Sequence, residues 1–102
     1  MHDLVASRLA DIRALCQRLA VRRLDLFGSA AQGGFDVEAS DVDVLAEFGG
    51  GLDFDHFGTY FALKEGLEQI LGRPVDVVSV TSIRNPYFRE QVMRTRELLY
   101  AA

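Results

Sequence analysis

Three observations predict a two-layer α/β fold, a small mixed β-sheet with flanking helices and the second strand central to it. Apolar residues recur at helical spacing in long segments, short runs rich in valine and leucine alternate with them, and glycine or proline marks most of the boundaries. The chain of 102 residues, 49% of them hydrophobic, has enough apolar content for a modest core and is expected to form a single domain over residues 1–102. No internal repeat or low-complexity segment interrupts it.

In chain order, Leu4 or Val5, Leu9, Ile12, Leu15 or Cys16, and Leu19 follow one another at three- and four-residue steps, which predicts an amphipathic helix over roughly Leu4–Ala20 with Asp3 as its cap. Leu24–Phe27 reads as a short strand ended by Gly28-Ser29, and Ala30-Ala31 as the start of a brief helix broken at Gly33-Gly34. Val42–Phe48 is the second strand, with Val42, Val44, Ala46 and Phe48 on one face and Asp41, Asp43, Leu45 and Glu47 on the other. After Gly49-Gly50-Gly51, Asp53 is placed to cap a helix whose apolar positions run from Phe54 to Leu71 and which Gly72 ends. Pro74 opens a third strand, Val75–Val80, where proline is tolerated at the first position. Asn85-Pro86 has the form of an N-cap and first helical residue, for a last helix to about Arg94. Arg96–Tyr100 fits helix or strand equally.

No apolar run approaches the length of a membrane span, and the N-terminal residues, with Asp3, Arg8, Asp11 and Arg13, lack the unbroken apolar region of a signal peptide. The expectation is a cytoplasmic protein that binds no membrane. Cys16, the single cysteine, lies among apolar helical positions and reads as a core thiol. The net charge of −4 disfavours direct nucleic-acid binding. Charge is unevenly distributed: between Gly34 and Gly72 the acids face Lys64 alone, while arginines crowd both flanks. An acidic surface explains Glu38, Glu65 and Glu68, but Asp41, Asp43 and Asp76 lie in strand-like sequence and need a separate explanation.

Acids spaced i, i+2 on a strand point to the same side. Two carboxylates about 4 Å apart repel by roughly 1 kcal/mol in water and about 4 kcal/mol at an effective dielectric near 20. Asp76, set in an otherwise apolar strand, adds a third acid whose burial without a partner would be costly. A hard divalent cation such as magnesium reverses that sign, since it prefers oxygen ligands and usually takes one or two carboxylates together with substrate phosphates. Gly28-Ser29 supplies the other half of such a site, because glycine permits close backbone approach while the hydroxyl and nearby amides donate to phosphate oxygens. Neither element is specific alone. Together they predict a metal–nucleotide site with two magnesium ions in which an acceptor hydroxyl attacks the α-phosphorus and pyrophosphate leaves.

The combination Leu26-Phe27-Gly28-Ser29, Ser40-Asp41-Val42-Asp43-Val44-Leu45 and Gly72-Arg73-Pro74-Val75-Asp76-Val77-Val78 resembles the minimal nucleotidyltransferases of the DNA polymerase beta-like superfamily, the MNT antitoxin partners of HEPN toxins. The resemblance implies the polymerase beta-like nucleotidyltransferase fold, nucleotide contacts from Gly28 and Ser29, and Asp41, Asp43 and Asp76 as catalytic, metal-binding acids. It further implies AMP transfer from ATP to a tyrosine of a HEPN ribonuclease, in a hetero-oligomer with that toxin. The chain departs from the family pattern where Ala30 and Gln32 replace arginines and in the longer stretch Ala30–Ser40. Two alternatives therefore stand beside that reading: an antitoxin that acts by binding alone, and a transferase subunit for a small-molecule acceptor. Phe54, Phe57, Tyr60 and Phe61, with Tyr87 and Phe88, are abundant for a small core and are candidates for a partner interface. His56 is expected to face solvent near a helix start, and Arg84, Arg89 and Arg94 to form surface ion pairs.

Overall fold

The computed structural model describes residues 3–28, 41–50 and 54–102. The helix predicted over Leu4–Ala20 is two helices, α1 (Asp3–Ala6) and α2 (Leu9–Arg18). Between them the Ser7 hydroxyl donates to the Leu4 carbonyl at 3.1 Å, a local side-chain bond of the kind that competes with a continuous helix. Ala20, at φ 57°, turns the chain into β1 (Val21–Phe27). That strand starts before the predicted Leu24, because Val21 and Arg23 are held by pairing to Phe48 and Glu47.

The remaining elements are β2 (Val42–Phe48), α3 (His56–Leu71), β3 (Val75–Ser79), a 3₁₀ turn (Val80–Ser82), α4 (Pro86–Thr95) and β4 (Glu97–Ala101). Their sheet order is β3-β2-β1-β4. β2 and β3 are parallel, whereas β1 pairs antiparallel with both β2 and β4, so the sheet is mixed and β2 is interior, as predicted. The ambiguous last segment becomes a strand because β1 offers it a free edge.

Local chemistry sets the helix ends. α3 is capped by Asp55, whose carboxylate accepts from the Gly58 N–H at 2.9 Å; Asp53, the predicted cap, lies outside the described residues. Gly72, in the left-handed region at φ 68°, closes the same helix with its N–H on the Glu68 carbonyl, a conformation that glycine adopts without strain. Asn85 accepts from the Tyr87 and Phe88 N–H groups at 2.9 and 3.2 Å ahead of Pro86, the predicted cap.

Alternation along the strands separates two faces. Leu24, Leu26, Val42, Val44, Ala46, Val75 and Val77 pack beneath α2 and α3, against Ile12, Leu15, Cys16, Leu63 and Leu67. Cys16 is a core thiol as expected, and burial pushes its pKa up to about 12. On the opposite face Phe27 and Leu45 meet Val92 of α4, with Val78, Ile83 and Met93 around them. Phe88 adds an edge-on ring contact to Phe27 at 6.2 Å between centroids. No helix among the described residues is long and apolar enough to cross a membrane.

Candidate nucleotidyl-transfer site

The face that carries α4 also carries the acids. Parallel register places Asp43 opposite Asp76, and antiparallel register places Phe27 opposite Asp43. Gly28, the next residue, therefore arrives beside the Asp43 side chain. Its φ is +72°, and a Cβ built there would stand 2.6 Å from Asp43 Oδ2. Any side chain at this position would collide with the carboxylate and adopt an unfavourable backbone conformation. The glycine needed at the turn and the acid needed on the strand are thus one packed unit.

The acids differ in exposure. Asp43 is partly buried, whereas Asp41 and Asp76 are exposed. The burial cost expected for Asp76 is absent, because β3 is the last strand of the sheet and turns this side chain to solvent. The pressure falls on Asp43 instead. Its carboxyl is held above the ordinary aspartate range, first by burial and then by the charges of Asp76 and Asp41, so its charged form is disfavoured by its surroundings.

Among the described residues no three His, Cys, Asp or Glu side chains are close enough together to hold an ion by themselves. The donor set is nonetheless suited to a hard cation: only carboxylate oxygens contribute, they repel one another, and Asp43 gains most from a neutralising charge. Such a set needs further oxygens, which a phosphate chain supplies. Ser29, Ala30, Gln32 and the helix expected at Ala30-Ala31 lie outside the described residues. The structure therefore brings Gly28, Asp43 and Asp76 together and places Asp41 within electrostatic reach.

One further acid on this face escaped the sequence reading. Asp25 of β1 is buried, 1% exposed, with Arg23 Nε donating to Oδ2 at 2.9 Å and Arg96 at 3.4 Å. The signal was Arg22-Arg23 beside an acid in a hydrophobic run, but the second partner is 71 residues away. Of the aromatic candidates, Phe57 and Tyr87 are 75% and 83% exposed, and Phe57 and Phe61 meet edge to face with centroids 4.8 Å apart. His56 is exposed, as expected, and meets the Phe54 ring edge to face. A cavity of about 540 Å³ lies between α2 and β4, lined by Arg13, Gln17 and Tyr100 among others and by none of the acids.

The model of the family described as Nucleotidyltransferase domain matches residues 12–99, a span that holds every one of these acids. The chain belongs to the nucleotidyltransferase domain family. A Methanocaldococcus jannaschii relative, provisionally named a protein adenylyltransferase, is 36% identical over 86% of this chain and 84% of its own length. Protein adenylyltransferase MntA of Thermococcus cleftensis is 34% identical over 83% of this chain and 82% of its own. A solved structure provisionally described as a minimal nucleotidyltransferase shares 35% identity and superposes with a TM-score of 0.78, covering 95% of each chain. The fold is shared more distantly with a chain of a Shewanella oneidensis complex of MNT antitoxin and tri-AMPylated HEPN toxin, at 20% identity and a TM-score of 0.64 over 95% of this chain and 72% of that one. The mixed sheet with flanking helices is accordingly the minimal nucleotidyltransferase fold, and the protein is a nucleotidyltransferase with relatives named as protein adenylyltransferases.

Proposed function

We propose that this nucleotidyltransferase is the antitoxin of a HEPN/MNT-type pair, and that it silences its partner by moving AMP from ATP onto a tyrosine of the HEPN ribonuclease. The observation that carries the reading is the register of three strands, which sets Gly28 against Asp43 and Asp43 opposite Asp76. Support for the acceptor comes from the relative named as protein adenylyltransferase MntA and from the tri-AMPylated toxin of the more distant complex.

In this reading residues 1–102 act as one domain in the cytoplasm. Gly28 and Ser29 would receive the phosphates of ATP, and Asp41, Asp43 and Asp76 would hold magnesium, two ions in all. The metal supplies charge neutralisation at the phosphates and lowers the pKa of the acceptor hydroxyl. Gly28 lets the phosphate chain approach its backbone, and Asp43, poorly tolerant of its own charge, gives its oxygens a strong preference for a cation. The tyrosyl oxygen, releasing its proton to solvent, would form a bond to the α-phosphorus as the bond from that phosphorus to the pyrophosphate oxygen breaks.

The test combines this protein, ATP, magnesium and the HEPN protein encoded beside it, with intact mass and peptide mapping as readout. The expected product is AMP on a toxin tyrosine, absent with Asp43→Asn. A silenced ribonuclease without any adduct would replace transfer by binding alone.

A further inference from the structure

We infer that three polar side chains spaced four residues apart on α3, Tyr60, Lys64 and Glu68, are positioning residues that fix Asp76 by bonding the backbone on both sides of it. The inference rests on the reading of Asp76 as a metal-binding acid.

β3 is the outermost strand of the sheet next to β2. The Pro74 carbonyl accepts from the Val42 N–H at 3.2 Å, so Pro74 faces the neighbouring strand. In a parallel strand the side to which N–H and C=O point alternates from residue to residue. Val75 and Val77 therefore direct their backbone groups to the open edge, while Asp76 directs its own toward β2. Left in place, those outward groups would require partners.

α3 provides them. Lys64 Nζ donates to the Val75 carbonyl at 2.5 Å, and the Val75 N–H donates to Glu68 Oε2 at 3.0 Å. The Tyr60 hydroxyl donates to the Val77 carbonyl at 3.0 Å. Lys64 and Glu68 are themselves joined at 3.3 Å. Residues four apart share one face of a helix, so the three side chains form a single line along the strand edge. The Glu68 carboxyl is held below the usual glutamate range, chiefly by the Val75 N–H, against some cost of burial and with Lys64 adding to the effect, as a charged, engaged acceptor should be. Asp76 sits between two residues that are both fastened from outside and is opposite Asp43 on the inside. Its separation from Asp43 is thereby tied to a helix anchored in the core through Leu63, Leu67 and Leu71.

The experiment measures Mn²⁺ binding to the full chain in the presence of a non-hydrolysable ATP analogue, by electron paramagnetic resonance, for Lys64→Met, Glu68→Gln, Tyr60→Phe, Asp76→Asn and Ile70→Ala. Ile70 packs beside the core and has no polar role, so Ile70→Ala reports what lost packing alone does. Lys64→Met and Glu68→Gln are expected to weaken Mn²⁺ binding roughly 10- to 100-fold, the usual effect of removing groups that orient metal ligands, with Lys64→Arg restoring part of it. Tyr60→Phe should cost a few-fold, and Ile70→Ala should leave binding unchanged at temperatures where it is folded. Wild-type Mn²⁺ affinity in Lys64→Met and Glu68→Gln, with Asp76→Asn impaired, would overturn the positioning inference while preserving the reading of Asp76. Wild-type affinity in Asp76→Asn as well would remove both.

Discussion

Asp25 and Asp43 stand on neighbouring central strands and the same sheet face, two positions apart in the β1–β2 register, yet their surroundings are opposite. Asp25 is buried between two arginines that neutralise it. Asp43 is less buried but is placed among acids, and its carboxyl is held above the ordinary range. The first carboxylate is complete within the protein. The second has acids, not arginines, as the charges that act on it. A buried charge with its partners in place is a structural element, whereas a carboxylate whose surroundings disfavour ionisation is a candidate for ligand binding.

The contrast is broken most directly at Asp43. Asp43→Asn should lower AMP transfer by at least about a hundredfold, in line with the loss of one transition-state contact, in the mass-spectrometric assay. The same variant should melt higher than wild type in EDTA. The sign follows from the raised carboxyl: wild-type stability declines as pH rises from the ordinary aspartate pKa through the raised value, so the gain from the amide is present above that window and vanishes below it.

Asp25→Ala should do the reverse, destabilising the fold while leaving the chemistry of folded molecules intact. Arg23 and Arg96 side chains are 35% and 26% exposed, so both regain some solvation, and the cost should fall near the lower end for a broken buried pair, about 3 kcal/mol. For a domain of this size that is a Tm drop of roughly 10 °C or more by calorimetry. Transfer per folded molecule that fell as far as in Asp43→Asn would erase the distinction between the two acids.

Gly28→Ala probes the packing beside Asp43. The positive φ and the 2.6 Å approach to Oδ2 should cost about 1–2 kcal/mol in denaturant unfolding, and nucleotide binding should weaken even where the fold survives. Glu68→Gln has the smallest expected effect on stability, under about 1 kcal/mol for a partly exposed pair. Because the Glu68 carboxyl is held low, its contribution is present above the ordinary glutamate pKa and lost as pH falls through the depressed value. The variant should therefore lose that small increment at neutral pH and converge with wild type at acid pH, which flattens the acid limb of a stability–pH profile.

Sequence was most informative where structure is decided locally. The bounds of β2, its two faces, the Asn85-Pro86 cap and the Gly72 stop follow from alternation and turn chemistry within a few residues. It failed where the deciding partner is remote. β4 is a strand because β1 lies beside it, and Asp25 gains its second ion-pair partner because Arg96 reaches it across the chain. The first helix breaks at a serine that sequence periodicity passes over, and the cap of α3 fell to Asp55 among neighbouring aspartates. Within the site, alternation and the Asp-x-Asp spacing put Asp41 and Asp43 on one side of β2. Their approach to Asp76 and Gly28 depended on strand order, which no single segment encodes.

The fastening of β3 by α3 reaches beyond the acids. The outer strand of a sheet is ordinarily a template on which an extended segment of another chain can add itself. Here the Val75 N–H and both the Val75 and Val77 carbonyls already have partners. A polypeptide arriving at this edge meets three backbone groups that are already engaged, so self-association by strand addition is disfavoured along the strand that bears Asp76.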